Sequence, residues 1–151
     1  MDATTPVRHP DPRVARVIDV FERLAPERLD RLAALYAPEA TFRDPFQAVR
    51  GVAAIRAVFE HMFRTVGAPR FVVREALAEG DGCFLTWDFL FEAPRLGPGT
   101  QTIHGGSHLR FDAEGRIAMH RDYWDAAEEL YARLPVIGAL MRWLRRRATS
   151  G

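Results

Sequence analysis

The chain has 151 residues, 48% hydrophobic and 27% charged, with a formal net charge of +1. That length suits one domain burying about 70% of its unfolded surface, and the near-neutral balance excludes the electrostatic footprint of a nucleic-acid-binding protein. A single cysteine, Cys83, excludes an internal disulfide and suits a reducing, cytoplasmic setting, and no run of about 20 apolar residues exists to span a membrane. All 21 basic residues are arginine, which reads as genome-composition bias.

Residues 1–10 are polar, show no secretory leader and are expected to be disordered. Asp11-Pro12 reads as an N-cap followed by proline at the first helical position. Val14, Val17, Ile18, Phe21 and Leu24 then recur at helical spacing. Pro26 breaks this helix, Leu29, Leu32, Ala33 and Tyr36 mark a second, and Pro38 closes it. A short strand, 40–44, ends at Pro45. After Gly51 a third helix carries Ile55, Val58, Phe59, Met62, Phe63 and Val66 on a broad apolar stripe.

From Arg70 the period changes to two. Residues 70–79 and 83–92 read as strands joined by the Gly80-Asp81-Gly82 turn. A Pro/Gly-rich loop covers 93–100, and strands follow at 101–111 and 116–124. Helices with one short strand, then a four-strand antiparallel meander, predict an α+β fold with helices on one face of a curved sheet. Phe84, Trp87, Phe89 and Phe91 read as filling both faces of one strand, one against the core and one against a partner subunit. Asp125 caps a further helix with Glu128 at the capping-box position, and residues 134–138 interrupt it. Residues 135–151 form a basic extension in which Leu140, Met141, Trp143 and Leu144 mix with Arg142, Arg145, Arg146 and Arg147. This segment is read as an amphipathic helix packed on the domain, as a lid over the pocket, or as a contact for an anionic membrane surface.

Side chains alternate along a strand, so His120, Asp122 and Trp124 share one face of the last strand. A carboxylate there is either paired or held in a pocket for chemistry. Asp44, Asp88 and Asp122 each lie at or within a strand among aromatics, and all three are candidates for one cavity, where mutual repulsion would keep one protonated. The bland alternative makes Asp44 a turn residue before Pro45 and pairs Asp88 with an arginine such as Arg110 or Arg121. His104 and His108 sit about 13 Å apart at about 3.3 Å per residue, too far to share a metal, so no metal or organic cofactor is expected. Cys83 reads as a small core residue.

Phe42-Arg43-Asp44-Pro45-Phe46, Gly51 and the terminal Arg121-Asp122-Tyr123-Trp124-Asp125, in this order of elements, resemble nuclear transport factor 2-like proteins over about residues 12–130. That broad group includes ketosteroid isomerases, limonene epoxide hydrolases and SnoaL-like polyketide cyclases. The resemblance implies a cone-shaped fold in which a curved sheet and N-terminal helices enclose an apolar pocket. Asp44 falls on the ketosteroid isomerase base, while that family's two oxyanion donors fall on Val20 and Ser107. Similarity to limonene epoxide hydrolase places Asp122 on the carboxylate that orients water and Asp88 on the acid that protonates the epoxide; Phe42 and Asp44 replace its water-holding tyrosine and asparagine, and Thr86 its arginine.

Together these readings make residues 11–134 one domain acting on a small hydrophobic molecule, as a cytoplasmic homodimer. The implied enzyme is an isomerase, cyclase or epoxide-hydrolase relative. Asp122, Asp44 and Asp88 are its candidate catalytic residues, with His120, Trp124, Phe42, Ser107 and Val20 lining the substrate site. The competing reading is a ligand-binding or protein-interaction domain with structural aspartates.

Overall fold

The computed structural model describes residues 8–130 and 135–149; residues 1–7 of the expected disordered stretch lie outside it. The first helix, α1 (Pro12–Glu22), starts where the Asp11 carboxylate accepts the Arg13 N–H at 2.9 Å, with Pro12 needing no partner for an absent N–H. It buries Val14, Val17, Ile18 and Phe21, one stripe at a spacing of three and four. Pro26 opens a single 3-10 turn (Pro26–Arg28), which leads into α2 (Leu29–Leu35) with Leu29, Leu32 and Leu35 buried.

At Tyr36 the reading above needs correction. The chain passes from α2 directly into β1 (Tyr36–Arg43), so Tyr36 and Pro38 belong to a strand. Pro38 has no N–H to donate to a ladder, and the register of β1 on its neighbour is irregular between Tyr36 and Thr41. A short strand not foreseen, β2 (Ala48–Arg50), returns antiparallel along β1. Gly51, at φ 91°, then turns the chain into α3 (Val52–Thr65), which buries Ile55 and Phe59.

The remaining strands are β3 (Gly67–Glu79), β4 (Gly82–Glu92), β5 (Thr100–Phe111) and β6 (Ile117–Tyr123). They form the expected antiparallel meander in a curved, unclosed sheet of order β2-β1-β6-β5-β4-β3. β1 lies beside β6 and runs parallel to it, pairing Phe42 with His120. β6 is therefore an interior strand. Helices α1 and α3 cover one face, where Phe21, Phe42, Phe59 and Phe71 meet edge-on or tilted at centroid distances of 5.8–6.0 Å. Phe71, Phe89 and Phe91 stack at 4.7 and 5.1 Å. Of the four β4 aromatics, Trp87, Phe89 and Phe91 face inward and Phe84, 40% exposed, faces outward, so the strand carries aromatics on both sides, unevenly. After β6, Asp125 accepts the Glu128 N–H at 3.0 Å and caps the short α4 (Ala126–Glu129). Residues 131–134 lie outside the described residues. Pro135 starts α5 (Pro135–Thr149) and Gly138 continues it, so 135–138 belong to a helix rather than interrupt one.

Two glycines in β5 carry particular weight. A Cβ on Gly105 would overlap the Trp87 ring, and one on Gly106 would come within 2.7 Å of Phe84 Cζ. Bare backbone at these positions lets one indole cross β5 on the inner face and one phenyl cross it on the outer face. Gly105→Ala is expected to destabilise the fold by about 1–3 kcal/mol through overpacking, because Trp87 is 7% exposed and cannot swing into solvent. Gly106→Ala is expected to do less, since Phe84 can yield outward. Urea melts of both variants, with near-ultraviolet circular dichroism to follow the indole, check the ranking.

Candidate functional site

Strand register determines which side chains meet. Ser107 pairs with Asp122, Leu109 with His120 and Leu85 with Ser107. The alternate residues Trp87, Ser107, His120 and Asp122 therefore share the inner face with Phe42. Their polar atoms form one chain. The Trp87 indole N–H donates to Ser107 Oγ at 2.9 Å, and Ser107 Oγ donates to Asp122 Oδ1 at 2.5 Å. His120 Nε2 lies 2.6 Å from the same Oδ1, and Tyr36 Oη lies 2.8 Å from His120 Nδ1.

The chain has a direction. An indole can only donate, so Ser107 accepts from it and turns its own hydrogen toward Asp122. A neutral imidazole meeting both its contacts carries its proton on Nε2, directs it at Asp122 and accepts the Tyr36 hydroxyl at Nδ1. Burial first, and the Asp122 charge second, push the Tyr36 phenol well above its ordinary pKa, so it remains a donor. His120 is 2% exposed, with Phe42 edge-on at 4.8 Å. Every hydrogen in the chain is engaged. Oδ2 of Asp122 receives no donor among the described residues.

Asp122 and His120 border a cavity of about 20 Å³ walled by Phe21, Phe59, Phe71, Val73, Leu85 and Leu109. That volume holds about one water molecule. Asp122 also lines an outer depression of about 480 Å³ with Arg43, Asp44, Arg121, Trp124 and Asp125. It stands between the two spaces.

The three aspartates do not converge. Asp44 lies in the outer depression with Asp122, and its carboxylate accepts the N–H groups of Phe46 and Gln47 at 2.8 and 2.9 Å, an Asx turn ahead of β2. Asp88 points to the opposite face from Trp87. There it pairs with Arg74 Nη2 at 2.6 Å and with His104 Nδ1 at 2.5 Å, rather than with Arg110 or Arg121. Partial burial alone would raise the Asp88 carboxyl, but hydrogen bonds and charge from Arg74 and His104 outweigh it and hold the group below its ordinary value. The repulsion expected among three crowded carboxylates is therefore absent. Trp124 packs edge-on to Phe46 at 5.3 Å beside the outer depression, and Val20 is half-buried against the core beside Phe21, which lines the cavity in its place. Burial raises the Cys83 thiol to about 11, keeping it protonated at neutral pH. Among the described residues no three His, Cys, Asp or Glu side chains are placed to share a metal ion.

Sequence reasoning passed over Tyr36 and Trp87 as polar members of the site. The available signal was chemical: a buried tyrosine hydroxyl or indole N–H needs a hydrogen-bond partner.

The architecture is an α+β fold in which helices and a curved sheet enclose a polar chain beside an apolar cavity. Residues 14–120 match the SnoaL-like domain family, and the chain belongs to it, within the nuclear transport factor 2-like superfamily. No curated protein sequence matches significantly. Among solved structures, an NTF2-like protein of unknown function from Burkholderia pseudomallei is 18% identical over 77% of this chain and 92% of its own, with a TM-score of 0.67. A proposed SnoaL-like polyketide cyclase from Jannaschia sp. CCS1 is 15% identical over 82% of this chain and 94% of its own (TM-score 0.68). An LEH-like epoxide hydrolase from M. tuberculosis is 18% identical over 92% of this chain and 96% of its own (TM-score 0.66). At such identities the likeness establishes the shared fold.

The Asp88 cluster yields a stability prediction separate from the cavity. A carboxyl held below its ordinary value stabilises the fold fully above the unfolded-state pKa near 4, and this contribution is lost as pH falls through the lowered folded value. Asp88→Asn is expected to cost about 1–2 kcal/mol at pH 7, discounted because Arg74 is partly exposed. The gap between variant and wild type should close below about pH 4. Denaturant titrations of both proteins from pH 7 to pH 3 measure it; a gap independent of pH would remove the ion-pair explanation.

Proposed function

We propose that this protein is a cofactor-independent enzyme in which Asp122 acts as the base on a small apolar molecule, in the manner of a polyketide cyclase. The observation supporting this reading is the carboxylate itself: Oδ1 is oriented by Ser107 and His120, Oδ2 receives no donor among the described residues, and Asp122 borders an apolar cavity. Such a group accepts a proton from a carbon acid or from water.

The polarity of the chain narrows the chemistry. The hydroxyls of Ser107 and Tyr36 and the indole N–H of Trp87 are already engaged. None is left to stabilise an oxyanion formed in the cavity, a contribution often worth several kcal/mol. A substrate that delocalises the developing charge over its own conjugated carbonyls, as an aromatic polyketide does, needs no such donor. Steroid isomerisation and acid-assisted epoxide opening would need a donor or acid here, and Asp88 is on the other face. A substrate larger than water requires lining side chains such as Phe21, Phe59 and Phe71 to move aside, since the cavity has room for about one water.

A second reading, a binding domain for an apolar ligand, draws on the same two facts: a single carboxylate and a closed apolar cavity. The proposal also retains a homodimer, with the exposed Leu77, Phe84 and Tyr123 of the outer sheet face as its contact.

A melting-temperature screen against aromatic polyketides, terpenoid epoxides and steroids tests these readings. A ligand at about 100 times its dissociation constant adds about 2.7 kcal/mol, enough to move the midpoint by several degrees. Aromatic polyketides are expected to give the shift, and wild-type protein should turn the hit over. Asp122→Asn keeps an acceptor for Ser107 and His120, so it should retain the shift while turnover falls at least 10²-fold. A shift with no turnover by the wild-type protein would favour the binding domain.

A further inference from the structure

The cavity leaves α5 unexplained. Among its described side chains none borders the cavity or the outer depression. Three of its apolar side chains are uncovered: Leu140 is 53% exposed, Trp143 45% and Leu144 48%. At 3.6 residues per turn these three fall within an arc of about 100°. Arg142, Arg145 and Arg146 occupy the opposite arc, and the guanidinium of Arg147 lies over the Trp143 ring, 5.0 Å from its centroid.

Charge says what could cover such a face. Pro135–Thr149 holds four arginines and no acidic residue. Of 21 basic residues, 17 remain elsewhere against 20 acids, so the rest of the chain is net negative and the helix alone is strongly cationic. A surface that covers α5 must therefore be apolar within and anionic at its rim. We infer that α5 is a docking helix for anionic lipid bilayers, lying in the headgroup region with Leu140, Trp143 and Leu144 toward the acyl chains and Arg142, Arg145 and Arg146 among the phosphates. At about 22 Å the helix is too short to cross a hydrocarbon core of about 30 Å, and among the described residues no helix is long and apolar enough to span one. Trp143 suits this depth because an indole favours the boundary between apolar and wet. The inference is independent of the role of Asp122, and either can fail alone.

Flotation of the full chain with large vesicles of phosphatidylcholine alone, or of phosphatidylcholine and phosphatidylglycerol at 7:3, tests it at roughly 0.1 M salt. Partitioning to the anionic vesicles is expected to be at least tenfold stronger, since each arginine near such a surface contributes about fivefold. Arg145→Glu with Arg146→Glu should remove that preference. Leu144→Glu should weaken binding to both vesicle types, with the melting temperature of the domain unchanged. Equal binding to both compositions, no binding to either, or binding indifferent to Leu144→Glu would overturn the assignment. So would Leu144→Glu converting a dimer to a monomer in lipid-free sedimentation, which would give the face to a second copy of the chain.

Discussion

The structure depends on satisfying one carboxylate where water is scarce. A carboxylate beside an apolar cavity costs several kcal/mol if left without partners, and two donors meet Oδ1 of Asp122. Each donor is in turn held by another group, Ser107 by Trp87 and His120 by Tyr36. The result is a polar filament threaded through the aromatic core. Its members come from three adjacent strands and from the start of β1, so the filament also ties the sheet together across its width.

Topology makes this possible. Because β1 lies parallel beside β6, the last strand is interior, and its inward side chains are covered on both flanks. The same packing places Phe42 against His120 and brings Tyr36 to the far ring nitrogen. Gly105 contributes by what it lacks: without a Cβ there, the Trp87 indole can lie across β5 and reach Ser107.

Charge is partitioned along the chain as well as within the core. The outer-face cluster of Asp88, Arg74 and His104 pairs its charges locally. Helix α5 gathers positive charge without acidic neighbours on the same segment. A single net charge for the whole chain conceals that division. It becomes meaningful once Leu140, Trp143 and Leu144 of the helix are seen to be exposed.

Much of the fold was legible in the order of residues because local physics governs it. Spacing of three and four marked α1 and α3, alternation marked the meander, and Asp11-Pro12 and Asp125 behaved as caps. Alternation along β6 also placed His120 and Asp122 on one face, since period two is a property of any strand. Asp88 shows the limit: its strand was recognisable, but which face an isolated carboxylate takes depends on register with neighbours distant in sequence. Tyr36 shows it again, read as the last turn of a helix until β6 claimed it as the first residue of a strand. The sequence by itself determined most of the helices, the strands of the meander and the amphipathic character of the C-terminal segment, all short-range consequences of backbone geometry and side-chain polarity. Only the tertiary structure decided that one aspartate of three meets the cavity, and through which donors, because hydrogen bonds act over about 3 Å between groups that folding alone brings together.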